Sequence, residues 1–191
     1  MRPSRRDHLI DSALEVFYRD GFHATGIDKV LAEAGVAKMP LYNHFRSKDE
    51  LILAALRRRD ERFRNWFMRC VEARASDPRA RLLAAFDVLG EWFRQPDFSG
   101  CMFINASAEF ARADSPIHAA CAEHKRLLRD YVAGLARAAG AAEPAALARQ
   151  LSLLIEGAIV TAHVSGEKEA AAEAKQVAEQ LLERELRAAA T

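Results

Sequence analysis

The chain has 191 residues, half of them hydrophobic and 29% charged, which excludes a mainly disordered protein and gives enough surface for a core without metal or disulfide staples. Its net charge is +1, so nucleic-acid binding would need a local basic patch rather than a global excess. Cys70, Cys101 and Cys121 are an odd, widely spaced set. They suit a reducing compartment, and with no aliphatic run longer than Leu51–Leu56 they point to a cytoplasmic protein without membrane contact.

Apolar residues recur at three and four, and no sustained alternation marks a strand. Leu9, Ile10, Ala13, Leu14 and Phe17 form one face of a first helix over 4–20, closed by Gly21. Ile27, Val30 and Leu31 mark a short helix over 26–34, ended by Gly35, and a second short helix spans 38–45. Ser47 opens a long helix reaching residue 75. Asp77-Pro78 and Ser115-Pro116 pair a capping side chain with proline at the first helical position, and Glu143-Pro144 does so with a poorer cap. These predict helices over 78–95, 116–139 and 144–165, with a shorter one over 101–113 and an alanine-rich one over 167–188. The chain therefore reads as all-α, with about nine helices.

Residues 1–75 carry 15 basic and 11 acidic side chains, a net +4, against −3 for the remainder. Three capping boxes, Ser4-x-x-Asp7, Thr25-x-x-Asp28 and Ser47-x-x-Glu50, lie in the first fifty residues. Gly35-Val36-Ala37 joins the two short helices in the manner of a helix-turn-helix, whose second helix enters the major groove of DNA. On the second of them Leu41 and Phe45 lie ~40° apart and form its buried stripe. Lys38, Met39, Tyr42, Asn43 and His44 face outward or flank that face, and their polar groups suit phosphate oxygens and base edges.

Residues 4–56 resemble the DNA-binding domain of the TetR family of bacterial repressors. The resemblance rests on Ala13-Leu14-x-x-Phe17, Gly21-Phe22-x-Ala24-Thr25, Ile27-x-x-Val30, Ala34-Gly35-Val36, Leu41-Tyr42-x-His44-Phe45 and Ser47-Lys48-x-x-Leu51. It implies a helix-turn-helix domain over 1–47 and a ligand-binding and dimerisation domain over 48–191. It also implies phosphate contacts from Thr25, Tyr42, His44 and Lys48, base contacts from Lys38 and Met39, and a groove-facing Asn43. Two positions depart from the family pattern. Ala37 stands where a capping serine is frequent, which forgoes ~1 kcal/mol of helix stability, and Pro40 offers DNA no donor.

Beyond residue 75 the sequence offers candidates rather than a motif. Trp92, Phe103 and Tyr131 are aromatic candidates for an effector cavity, and Asn105 and Glu109, at i and i+4, for its polar groups. Gly100-Cys101-Met102-Phe103-Ile104-Asn105 resembles a segment of a family branch in which a cysteine senses electrophiles or oxidants, which makes Cys101 a further candidate beside the reading of it as a buried hydrophobe. His118-x-x-Cys121-x-x-His124 reads as packing, because His124 is rotated ~60° too far to complete a metal site on one helix. Leu151, Leu154, Ile155, Ala158, Ile159 and Ala162 make one wide apolar side, and Ala178, Leu181, Leu182 and Leu186 another. In the family these two helices pair with their copies, and a palindromic operator demands such a homodimer.

The sequence thus predicts a ligand-responsive repressor with no cofactor or metal, binding a double-stranded operator as a homodimer and released by a small-molecule effector. A repressor sensing electrophiles through Cys101 is the alternative, and a helical adaptor that never meets DNA is the rival from another class. No glycine-rich phosphate loop or Ser/His/Asp order supports an enzyme.

Overall fold

The computed structural model describes residues 4–189; the side chains of Pro40 and of residues 186–189, Leu186 included, lie outside the described set. Nine helices and no strand occur among the described residues: α1 Arg5–Asp20, α2 Ile27–Ala34, α3 Lys38–Tyr42, α4 Lys48–Arg74, α5 Pro78–Phe93, α6 Met102–Glu109, α7 Pro116–Ala138, α8 Pro144–Val164 and α9 Ala170–Ala189. They form two compact units. The first takes the chain through Phe63 with Cys101–His124, and the second takes Arg64–Gly100 with the chain from Lys125 onward. This division differs from a boundary at residue 47, because α6 and the start of α7 pack with the N-terminal helices.

The first unit is set by local signals and closed by a few distant ones. The Ser4 hydroxyl accepts from Asp7 N–H at 3.1 Å and donates to its carboxylate at 2.7 Å, so the first capping box forms. Leu9, Ile10, Ala13, Leu14 and Phe17 are buried as the spacing requires. Gly35 ends α2 in the left-handed region at φ +62°, a conformation that a β-carbon disfavours. His8 Nε2 meets the Ala34 carbonyl at 2.8 Å, tying α1 to the end of α2. Arg58 of α4 reaches Asp7 at 2.5 Å and Asp11 at 2.9 Å, tying α4 to α1.

Two local expectations are corrected. The Thr25-x-x-Asp28 box does not form. Gly26 takes the N-cap position with no side-chain bond, which leaves Thr25 one residue too early to reach the third helical N–H. Thr25 is fully buried, and its hydroxyl has no partner. The second short helix stops at Tyr42 rather than residue 45. The N–H groups of His44 and Phe45 both turn back to the Leu41 carbonyl at 2.9 Å. Ser47 then caps α4, accepting from Glu50 N–H at 3.1 Å, while the Glu50 carboxylate takes the Arg46 N–H at 2.7 Å.

In the second unit α5, α8 and α9 pack on one another. Asp77 caps α5 by accepting from Ala80 N–H at 2.9 Å with Pro78 in the first turn, whereas Glu143 makes no capping bond to α8. Small side chains on α9, Ala170, Ala171, Ala174 and Ala178, are buried and allow close approach. A β-carbon at Gly90 of α5 would stand 3.6 Å from that of Ala171. Lys175 of α9 holds Asp87 of α5 at 2.8 Å.

This packing covers most of the expected dimer face within the single chain. Leu151, Ala158, Ile159, Ala162 and Leu182 are buried inside the unit, and Ile155 is half-buried. The apolar side chains left in solvent are Leu153 at 73% exposure, Val160, Val164 at 77% and Val177. Helix α8 is apolar on more than one face, and periodicity cannot tell which face its neighbours cover. By length and composition alone α8 is also apolar enough to cross a membrane, a property it shares with core helices.

Candidate nucleic-acid interface and effector cavity

Helix α3 sorts its residues by face. Leu41 and Phe45 are buried, and Phe45 carries the Arg6 guanidinium 5.2 Å above its ring. Lys38, Met39, Tyr42, Asn43 and His44 are all exposed, Met39 at 72% and Tyr42 at 51%. An outward Met and Tyr cost solubility unless a partner covers them. Lys38 stands 3.4 Å from Asp28. Both side chains are solvated, so the pair contributes little and yields readily to a phosphate. Ala37 starts α3 with no side-chain cap. Lys48 is half-buried in the first turn of α4, where a cation opposes the helix dipole and an anionic partner relieves it. Thr25 is the exception, because its buried hydroxyl is closed to a phosphate in this arrangement. Sequence reasoning missed Arg46, which is exposed beside Lys48; its signal was a second cation at the α3–α4 turn.

The first unit also holds a half-open cavity of about 410 Å³. Leu53, Leu56, Arg57 and Asp60 of α4 form one wall, Phe103 of α6 another, and Pro116, Ala119, Ala120, Glu123 and His124 of α7 the third. His124 is only 2% exposed. Its Nδ1 lies 2.7 Å from the Asp60 carboxylate, and its ring stacks on Phe103 with centroids 3.6 Å apart. The cavity thus joins apolar walls to a few fixed polar groups, the usual make-up of a small-molecule site.

Of the six effector candidates, Phe103 lines this cavity. Cys101 is buried at the N-cap of α6. Asn105 is half-buried on the same helix. Trp92 and Tyr131 belong to the second unit. Trp92 is buried and meets Phe98 edge-on at 5.0 Å, and Tyr131 buries an unpartnered hydroxyl, burial raising its pKa. No group of three His, Cys, Asp or Glu side chains suited to a metal occurs among the described residues.

Glu109 departs furthest from expectation. Its carboxylate turns to the N-terminal helices, accepting from Phe22 N–H at 2.9 Å and His23 N–H at 2.6 Å, with His23 Nδ1 at 2.8 Å. Burial opposes its ionisation, but the two backbone donors and the His23 ring outweigh burial and hold its pKa below the ordinary 4.5. A lowered folded pKa means stability that is full above pH ~4.5 and lost as pH falls through the folded value. Thermal melts from pH 7 down to pH 3 should therefore show a steeper acid loss in the parent chain than in Glu109→Gln. Parallel profiles would contradict this role.

The family described as bacterial regulatory proteins, tetR family, matches residues 9–55, and the tetracyclin repressor-like C-terminal domain matches residues 78–178. The HTH-type transcriptional activator FasR of Mycolicibacterium smegmatis is 38% identical over 103 residues, covering 54% of this chain and 46% of FasR. The HTH-type transcriptional repressor NemR of Escherichia coli is 28% identical over 105 residues, 54% of this chain and 53% of NemR. The matched region spans about half the length of these two relatives. A crystal structure of a TetR-family transcriptional regulator from Streptomyces coelicolor superposes with a TM-score of 0.88 at 30% identity, covering 95% of this chain and 96% of that one. The reduced form of E. coli NemR shares the fold, with a TM-score of 0.81 at 23% identity over 93% of this chain and 97% of that one.

Proposed function

The chain belongs to the TetR family of bacterial regulatory proteins, which are ligand-responsive DNA-binding transcription regulators, and we propose that it is a homodimeric repressor reading a palindromic operator through α3. One observation carries the reading: a five-residue helix buries Leu41 while turning Lys38, Met39 and Tyr42 to solvent. Asn43, His44, Lys48 and Arg46 extend that ridge. Two such helices must reach major grooves ~34–36 Å apart, so the protein acts as a dimer. We assign the dimer contact to the exposed stripe Leu153, Val160 and Val164 of α8 with Val177 of α9. Gly157 lies on that stripe, and a β-carbon there would meet nothing within 4 Å of its own chain; its smallness serves close approach of a second copy. The effector occupies the cavity beside Phe103 and His124 and acts through its differential affinity for two dimer states, one with the α3 helices in register with DNA and one without. This reading places the protein in the cytoplasm and assigns it no catalysis.

Electrophoretic mobility shifts with DNA flanking its own gene test the reading. About eight phosphate contacts per dimer give a slope of log K against log salt near −7. Lys48→Ala should weaken binding to all duplexes alike, whereas Lys38→Ala should also narrow the gap between operator and random DNA, by ~1–3 kcal/mol. Equal losses on both duplexes for both variants overturn the assigned roles, and indifference to every duplex at low salt overturns the function.

A further inference from the structure

The cavity of the first unit is polar at one end only. Its lining runs from Leu53 to Asp60 on α4 and from Pro116 to His124 on α7. The two runs meet at their later ends, where His124 Nδ1 lies 2.7 Å from the Asp60 carboxylate. At ~1.5 Å per residue each run is about 10–12 Å long. Leu53, Leu56, Phe103, Pro116, Ala119 and Ala120 make the rest of the wall apolar. An occupant that suits both ends is amphipathic, with an apolar body and one polar head.

The sign of that head follows from which charged groups are already committed. Asp60 faces His124, and Glu123, like Asp60, has a partner of its own. Three arginines follow one another on α4 just before Asp60. Arg58 is held by Asp7 and Asp11, and Arg59 lies 4.7 Å over the Tyr18 ring. Arg57 lines the cavity, is exposed, and has no ion-pair or hydrogen-bond partner among the described residues. Its guanidinium presents N–H donors in a planar fork that matches a carboxylate. A cationic head would meet the like charge of Arg57 and would have to take Asp60 from His124.

We propose that the cavity takes an apolar carboxylic acid as its anion, with the carboxylate on Arg57 at the polar end and the hydrocarbon body along Leu53, Phe103 and Ala120. This names the chemical class of the effector and rests on the reading of this cavity as the effector site. Arg57 selects the head group, and the apolar wall supplies most of the affinity. Because Arg57 is exposed, water competes for it, and the preference for the anion is about tenfold rather than the larger factor of a buried pair.

Isothermal titration of the full chain with phenylbutyrate, phenylbutanol and phenylbutylamine tests this, because the three share a body and differ in the head. The acid should bind about tenfold more tightly than the alcohol, and the amine more weakly than either. Arg57→Gln should erase the advantage of the acid and leave the alcohol unchanged, a split that a merely structural role would not produce, and Arg57→Lys should restore part of it. Ala120→Trp, or Ala120→Phe should the indole prevent folding, should abolish binding of all three and so place it in this cavity. The proposal is overturned if the acid does not bind, if the alcohol or amine matches it, if Arg57→Gln keeps its advantage, or if the filled cavity still binds it. Selective binding of the acid that leaves the operator mobility shift unchanged supports the ligand class and faults the effector reading instead.

Discussion

A chain carrying Leu153→Glu and Val164→Glu should sediment as a monomer and lose ~100-fold or more in operator affinity. Both side chains are about three-quarters exposed in the single chain, so the changes cost the monomer fold little. In a two-fold contact each substitution appears twice, placing four carboxylates on an apolar seam. Once the copies part, each head binds alone and the gain from linked half-sites, ~10²–10⁴ in affinity, is lost. Analytical ultracentrifugation and mobility shifts read the two effects separately. Leu151→Glu is the contrasting variant: Leu151 is buried against its own chain, so that change should unfold the protein rather than divide the dimer. A double variant that remains dimeric would place the interface elsewhere.

Phe45→Ala is expected to cost ~3–5 kcal/mol of stability and with it specific DNA binding. The ring is 1% exposed beside Leu41 and under the Arg6 guanidinium, and it anchors the end of a helix only five residues long. Such a helix has too few internal bonds to persist by itself, so its orientation depends on that anchor. The loss is comparable to the ~5–15 kcal/mol that stabilises a whole domain. Thermal unfolding followed by circular dichroism reads the stability, and mobility shifts at 15 °C read the DNA affinity. Phe45→Leu, which keeps most of the buried volume, should cost under half as much. A loss below ~1 kcal/mol for the alanine variant would show that α3 is held by other contacts.

Helix limits were legible wherever a local chemical signal fixed them. Ser4 and Asp77 cap, Pro78 and Pro116 begin and Gly21 and Gly35 end their helices within a few residues of expectation, because each signal acts on its own turn of backbone. The outward ridge of α3 was legible too, since its spacing left Leu41 and Phe45 as its apolar pair. Thr25 misled because Gly26 outcompeted it for the N-cap by one residue, a choice made by the path of the turn from Gly21.

What the sequence determined by itself was the all-helical architecture, the order of its elements and the polarity of the reading helix, all consequences of forces acting within about four residues. Tertiary structure alone decided which apolar face of α8 its neighbours covered, where the Glu109 carboxylate found its donors 86 residues away, and that Phe103 came to lie on His124. Hydrophobic burial has no direction of its own, and a carboxylate bonds whatever donor the fold delivers, so only the assembled chain could choose among those partners.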